Sequence, residues 1–287
     1  MKFSYALIVA FALGLAAAVA ISPAAAAVLS ACGLRFPFPR IFDRTVMATL
    51  LAALILFRRP LQLRPLLARG FAEPRRNWPD FVRGLIIALA VIGILFACAA
   101  VAGAHGGPGL ERLRHRLPAY VVQAIAIGII EEGFFRAFLL GGMSVDLGRR
   151  GALLASSAIY AVAHLLRSPA RIYLTGFHPA AGLHNLAGSA IQLSDPATAV
   201  PALIGLFMLG LVLGEAFLIT GKAYLPAGLH AGFVIGAKSW PALTTPGIAL
   251  PHWIAGYGRF HLISSPAAWI AALILIAILP RLGRVKA

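Results

Sequence analysis

The run Glu131-Glu132-Gly133-Phe134-Phe135-Arg136 sets three ionisable side chains inside an otherwise apolar stretch, from about Ala119 to Leu140. A stretch of about 20 apolar residues reads as a transmembrane helix. Each ionised side chain near the bilayer centre costs roughly 2.5–3.5 kcal/mol even on the lenient insertion scales. Three of them in one span imply a polar site inside the membrane. Glu132 and Arg136 are four apart, share a helix face and can form an ion pair. Glu131 is turned about 100° from Glu132, so the pair can neutralise itself and leave Glu131 as the group that works. A carboxylate balanced between burial and a nearby guanidinium is a candidate general base.

Two later apolar stretches supply imidazoles. Tyr160 and His164 are four apart on one face. His230 sits within Pro226-Ala227-Gly228-Leu229-His230-Ala231-Gly232-Phe233. Small residues on either side of it are expected where helices approach closely or a substrate backbone must reach the ring. Glu131, His164 and His230 lie on three separate helices and can meet only through tertiary packing. If they meet, two chemistries fit. The three can hold zinc with an open position for water. Alternatively, Glu131 activates a water while the histidines orient it and stabilise the oxyanion, with no metal. A lone intramembrane His often does no more than hydrogen-bond across helices, and the doubled Glu with Arg is what raises the functional reading above that.

The elements that must position these groups are helices. Apolar stretches recur at about Phe3–Leu29, Val46–Phe57, Phe81–Ala104, Ala119–Leu140, Ala152–Leu166, Val200–Ile219, Tyr224–Ala237 and Ala267–Leu279. The expectation is an all-α polytopic membrane protein of about eight spans around a polar cavity. It divides as 1–117 (first helices and a basic cytoplasmic loop), 118–240 (catalytic core) and 241–287 (a loop and the last helix). The 287 residues are 60% hydrophobic and 12% charged, with mean hydropathy +0.88, which excludes an ordinary soluble domain. Net charge is +16. The arginines lie mostly between apolar stretches rather than in a stripe, so they argue for positive-inside topology and anionic lipid, not nucleic acid.

The segment from Arg58 to Arg83 is the most basic loop and is expected in the cytoplasm. With eight spans both termini are then cytoplasmic, and Arg281, Arg284 and Lys286 agree. Arg35, Arg40, Arg44, Arg112, Arg114 and Arg116 fall on the other side and weigh against it. Lys2, a long apolar run and Ser22-Pro23-Ala24-Ala25-Ala26-Ala27 resemble a signal peptide, but the run is long enough to span and reads as an uncleaved first helix. Cys32 and Cys98 carry no metal or disulfide spacing and read as small buried hydrophobes. Ser168–Ala199 is polar, with His178, His184, Asn185 and Asp195, and reads as an extramembrane or re-entrant loop whose histidines are loop residues. Glu215, in the sixth span, pairs with Lys222 or faces the cavity, the pair being preferred.

Glu-Glu-x-x-x-Arg on one helix, an aromatic-x-x-x-His on the next and a His-centred motif two spans later resemble the CPBP family of intramembrane proteases. That family includes the type II CAAX prenyl endopeptidases and the bacterial abortive-infection-like proteins. Gly210-Leu211-Val212-Leu213-Gly214, Thr220-Gly221 and Pro226-Ala227-Gly228-Leu229-His230 also look like the family's approach to its third motif. The resemblance implies an endopeptidase acting on a membrane-associated or lipid-modified peptide. Glu131 would activate the water, His164 and His230 would complete the site, and Glu132, Arg136 and Tyr160 would support it. Family habit adds a bacterial inner membrane. Two positions depart from the pattern. Tyr160 stands where Phe is usual, and Val234 stands where Asn or Asp follows the His by four. If that amide fixes the oxyanion, its loss costs about 3–4 kcal/mol of transition-state stabilisation. Lys238 could substitute, although a snorkelling role at the interface suits it better. Two other readings stand beside the protease: a non-catalytic membrane scaffold or immunity-like protein that keeps the fold, and a transporter or proton relay.

Overall fold

The computed structural model describes residues 2–104, 109–166, 171–243, 250–258 and 260–283. Arg284 and Lys286, and the first residues of the polar segment at 168–170, lie outside them. All eight apolar stretches fall in helices, and no strand occurs among the described residues. In chain order the helices are α1 (Phe3–Ala31), α2 (Phe38–Leu56), α3 (Leu63–Gly70), α4 (Pro74–Val101), α5 (Gly109–Glu132), a π-helical segment (Gly133–Leu140), α6 (Gly141–Leu165), α7 (Ala181–Ser189), α8 (Pro196–Thr220), α9 (Tyr224–Leu243), α10 (His252–Ala255) and α11 (Pro266–Gly283). By length and composition, α1, α4 and α8 are long and apolar enough to cross a membrane. Among the described residues these three of the eight expected spans meet that measure, and α11 is apolar but shorter. Large apolar side chains such as Ile8, Ile86, Ile94 and Ile130 are exposed, as suits a surface that meets lipid rather than water.

The chain forms two compact units. One comprises residues 1–64 and 163–199, the other 65–162 and 200–287. In the first, α1 and α2 form an antiparallel hairpin, with Gly14 against Leu50. The polar segment is not a plain loop. It contains α7, whose Gly182 lies against the Val19 carbonyl of α1, and it joins the apolar cluster of Ala26, Phe38 and Phe42 through Ala181 and Leu186. His178 Nε2 donates to the Thr175 carbonyl at 2.9 Å. Asp195 is held in the turn before α8 by Ala197 N–H on Oδ1 at 3.2 Å and Thr198 Oγ1 on Oδ2 at 2.7 Å, a capping arrangement followed by Pro at the first helical position. Cys32, at the end of α1, is exposed and Cys98 half-buried, both as free thiols. For Cys32 this corrects the reading of a buried hydrophobe.

The second unit is built around α9, which packs against both α4 and α5. The contact is made through small residues. A methyl group at Gly228 would overlap the Phe81 carbonyl, one at Gly84 the Leu225 carbonyl, and one at Gly128 would come within 2.7 Å of the Ala227 carbonyl. Backbone therefore meets backbone, as small residues permit between helices. Apolar side chains seal the surround: Ala88, Val212, Leu213, Leu229 and Leu275 form one buried cluster, and Phe81, Ala124, Tyr224 and Ala227 another. The basic connector contains α3, whose final carbonyls are taken by the start of α9. Lys222 Nζ donates to the Arg69 carbonyl at 3.2 Å, Ala223 N–H to that of Gly70 at 2.9 Å, and Tyr224 Oη to that of Phe71 at 2.9 Å. This satisfies the carbonyls a helix end leaves without partners. The run of α6 is broken at Gly148 (φ 68°), a backbone conformation that glycine adopts freely.

If backbone contact sets the place of α9, a single added methyl is enough to disturb it. Gly228→Ala is expected to lower stability by about 1–3 kcal/mol, the usual cost of overpacking. Gly93→Ala, which meets nothing within 4 Å, is expected to be neutral or mildly stabilising. Thermal unfolding of the detergent-solubilised proteins compares them, and equal midpoints would contradict this account of the interface.

Candidate functional site

α5 ends at Glu132, and the helix then widens into the π-helical segment Gly133–Leu140, where the Gly141 N–H bonds the Arg136 carbonyl five residues back. Short π-helical insertions of this kind are frequent at functional sites. They are built where the sequence leaves room: a methyl group at Gly133 would come within 3.1 Å of the Phe71 ring, and Gly70 of α3 lies against Ala137. The result is that Glu132 and Arg136 both point inward and are almost wholly enclosed, at 0% and 2% exposure.

The expected ion pair is present, with Arg136 Nε 3.2 Å from Glu132 Oε2. It does more than neutralise itself. The other carboxylate oxygen, Oε1, accepts from His230 Nδ1 at 2.7 Å. The closest acidic partner of the histidine is thus Glu132, a contact the sequence reading does not contain. Glu131 lies on the opposite edge of the same ring, with Oε2 3.8 Å from Nε2. It is the more open of the two carboxylates, its side chain 29% exposed. His230 is held from the sides by the close packing of α9 and has 3% exposure.

The second wall comes from α6 and α8. Tyr160 is buried, with the Arg136 guanidinium over its face at 4.7 Å and its ring edge-on to His230 at 6.2 Å between centroids. Phe135 closes against Tyr160 at 5.0 Å. Arg136 Nη2 donates to the Gly210 carbonyl at 3.2 Å, and Gly210 packs on Ser157 of α6. Arg136 therefore ties α5 to α8 as well as to Glu132. Gly210 belongs to a stretch that stands out in the sequence, but its role as an arginine acceptor depends on a backbone carbonyl, which carries no residue signature.

The structure thus brings Glu131, Glu132, Arg136, Tyr160 and His230 together in one compact unit. His164 is one turn beyond Tyr160 on α6, half-buried. The chain passes from one unit to the other between Val162 and Ala163, so His164 groups with the first unit. Val234 packs into the apolar cluster of Phe81, Ala124 and Ala227. Lys238 does not substitute for the missing amide. Its Nζ donates to Gln123 Oε1 at 3.1 Å and lies over the Tyr120 ring at 5.3 Å. Glu215 is half-buried and makes no ion pair or hydrogen bond among the described residues, while Lys222 is occupied by the Arg69 carbonyl. The preferred Glu215–Lys222 pair is not formed.

A zinc ion on Glu131, His164 and His230 is the metal-based option. Among the described residues, no three His, Cys, Asp or Glu side chains are grouped so as to hold a metal ion. Donation of the His230 Nδ1 proton to Glu132 leaves Nε2 as the ring nitrogen open to a ligand, the arrangement usual for a metal-bound histidine.

Residues 113–236 match the family described as Rce1-like, type II CAAX prenyl endopeptidase Rce1-like. Over that segment the chain is similar to the CPBP family of intramembrane proteases. No curated protein and no solved structure matches it. The Rce1-like segment contains every site residue named above, from α5 through the histidine of α9. The long apolar helices indicate an integral membrane protein, and the matched segment points to a protease in general.

The buried Arg136 is expected to be structural. Arg136→Ala leaves Glu132 charged and half-matched in an enclosed site, and breaking a buried pair in this way costs about 3–5 kcal/mol. Urea or thermal unfolding of the purified protein measures it. A change under about 1 kcal/mol, the scale of an exposed pair, would show that Glu132 does not depend on this partner.

Proposed function

We propose that this protein is a CPBP-type endopeptidase that hydrolyses a peptide bond of a membrane-associated substrate, using water activated by Glu131. The observation that carries the reading is the ordering of His230 between two carboxylates. Donation of the Nδ1 proton to Glu132 selects the tautomer whose Nε2 lone pair faces Glu131, the orienting role a buried carboxylate plays toward a catalytic imidazole. Two acceptors 3.8 Å apart can both be reached by one water at ordinary hydrogen-bond lengths of about 2.8 Å. Such a water gives one hydrogen to Glu131 and one to Nε2, and its lone pair turns toward the substrate.

The steps then follow. Water oxygen bonds to the scissile carbonyl carbon as Glu131 takes a proton. The tetrahedral oxyanion collapses, the C–N bond breaks, and Glu131 returns the proton to the leaving amine. The products are a carboxylate and an amine. We assign His164, by motif position, to orienting water or the oxyanion, and Glu132, Arg136 and Tyr160 to holding His230. The catalytic core is 118–240. The topology we assign has eight spans and cytoplasmic termini in a bacterial inner membrane, supported by the basic segment from Arg58 to Arg83. Val234 in its apolar cluster favours one second reading, a scaffold that keeps the fold without turnover.

The test is hydrolysis of quenched-fluorescent lipid-anchored peptides, a farnesylated CAAX peptide among them, by the full chain reconstituted in liposomes. Glu131→Gln is expected to lower kcat about 10²–10⁴-fold, the usual contribution of a general base, with an unchanged unfolding midpoint. Glu215→Gln is expected to keep full activity, and chelation to leave the rate unchanged. Undiminished turnover in Glu131→Gln would remove the carboxylate from the mechanism. Absence of turnover on every peptide would favour the scaffold.

A further inference from the structure

Within the α1–α2 hairpin of the first unit lies a cleft of about 640 Å³. Ile21, Ala25 and Leu29 of α1 face Ile41, Ala48 and Ala52 of α2 across it. Two threonines also line it, but their hydroxyls are spent on their own helix. Thr45 Oγ1 donates to the Ile41 carbonyl at 3.0 Å and Thr49 Oγ1 to that of Thr45 at 2.9 Å. The walls therefore offer a lining chain little but methyl and methylene groups.

One end of the cleft is different. Arg40 and Arg44 line it there, one turn apart. The Arg40 guanidinium is braced over the Phe36 ring at 5.3 Å, and Arg44 Nη1 reaches Met47 Sδ at 3.3 Å. Neither arginine has a carboxylate partner among the described residues. Two unneutralised cations at one end of an apolar groove complement an anionic head group carrying an acyl chain, and basic pockets between membrane helices bind such head groups. The depth agrees. From Arg40 to Ala52 helix α2 rises about 18 Å, at about 1.5 Å per residue. Half of a hydrocarbon core of about 30 Å is about 15 Å. The opposing wall is α1, a helix long and apolar enough to cross a membrane, so the groove spans about one leaflet.

We infer that this cleft binds one anionic phospholipid, its phosphate on Arg40 and Arg44 and one acyl chain between α1 and α2. The occupant is a bilayer lipid, so binding is independent of the protease reaction. Native mass spectrometry of the full chain, released from micelles holding equal phosphatidylglycerol and phosphatidylcholine, tests it. The parent protein is expected to retain phosphatidylglycerol about 30-fold over phosphatidylcholine, the ratio two basic residues supply. Arg40→Gln with Arg44→Gln should bring the ratio near one, while Arg58→Gln with Arg59→Gln leaves it intact. Ala48→Trp fills the groove with both arginines in place and should also abolish retention. Equal retention of the two lipids by the parent, or an undiminished preference in the Arg40/Arg44 variant or in Ala48→Trp, would overturn the site.

Discussion

A carboxylate enclosed by apolar helices has to find a partner for each oxygen, because a buried charge left unmatched is among the most expensive features a fold can carry. Glu132 meets that demand with a hydrogen bond from His230 on one oxygen and, on the other, the charge of Arg136 at 3.2 Å without hydrogen-bond geometry. Its arginine needs partners in turn and finds them in the Gly210 carbonyl and the face of Tyr160. One carboxyl group thus fixes the relative positions of α5, α6, α8 and α9. The polar cluster and the helix packing are a single requirement seen from two sides.

The backbone contacts of α9 serve the same end. Gly84, Gly128 and Gly228 remove the side chains that would otherwise lie between helices. His230 is then placed by main chain, which has few ways to shift, and not by rotamers that could repack. A short hydrogen bond such as the 2.7 Å contact to Glu132 needs this, since a displacement of about 1 Å at a preorganised site is enough to lose most of its effect. The carbonyl contacts from Lys222, Ala223 and Tyr224 to the end of α3 and Phe71 anchor the helix about two turns before the histidine.

Much of this was legible in the residues. Three ionisable groups in an apolar stretch announce a polar site, and spacing by four gives the Glu132–Arg136 pair. The small residues around His230 predict the close approach of helices, which the structure shows between α4, α5 and α9. What the residues did not disclose depends on geometry between distant segments. Whether Glu131 or Glu132 lies nearer a histidine 98 residues away is decided by helix rotation, which periodicity leaves undetermined. The Gly210 carbonyl is a backbone acceptor and has no letter of its own. The helices α3 and α7 were hidden because their turns are short, polar and rich in Arg, Gly or His.

The π-helical segment has one more consequence. Relative to an α-helix it holds a residue in excess, so every side chain downstream is advanced by about 100° around the axis. The phase of α6 as far as its break at Gly148 is set by that excess. The segment works as a gear tooth between Glu132 and the side chains that follow it, Arg136 among them. Loss of a single residue there would leave hydropathy and composition nearly untouched and yet turn Arg136 and the first turns of α6 out of mesh with the carboxylate.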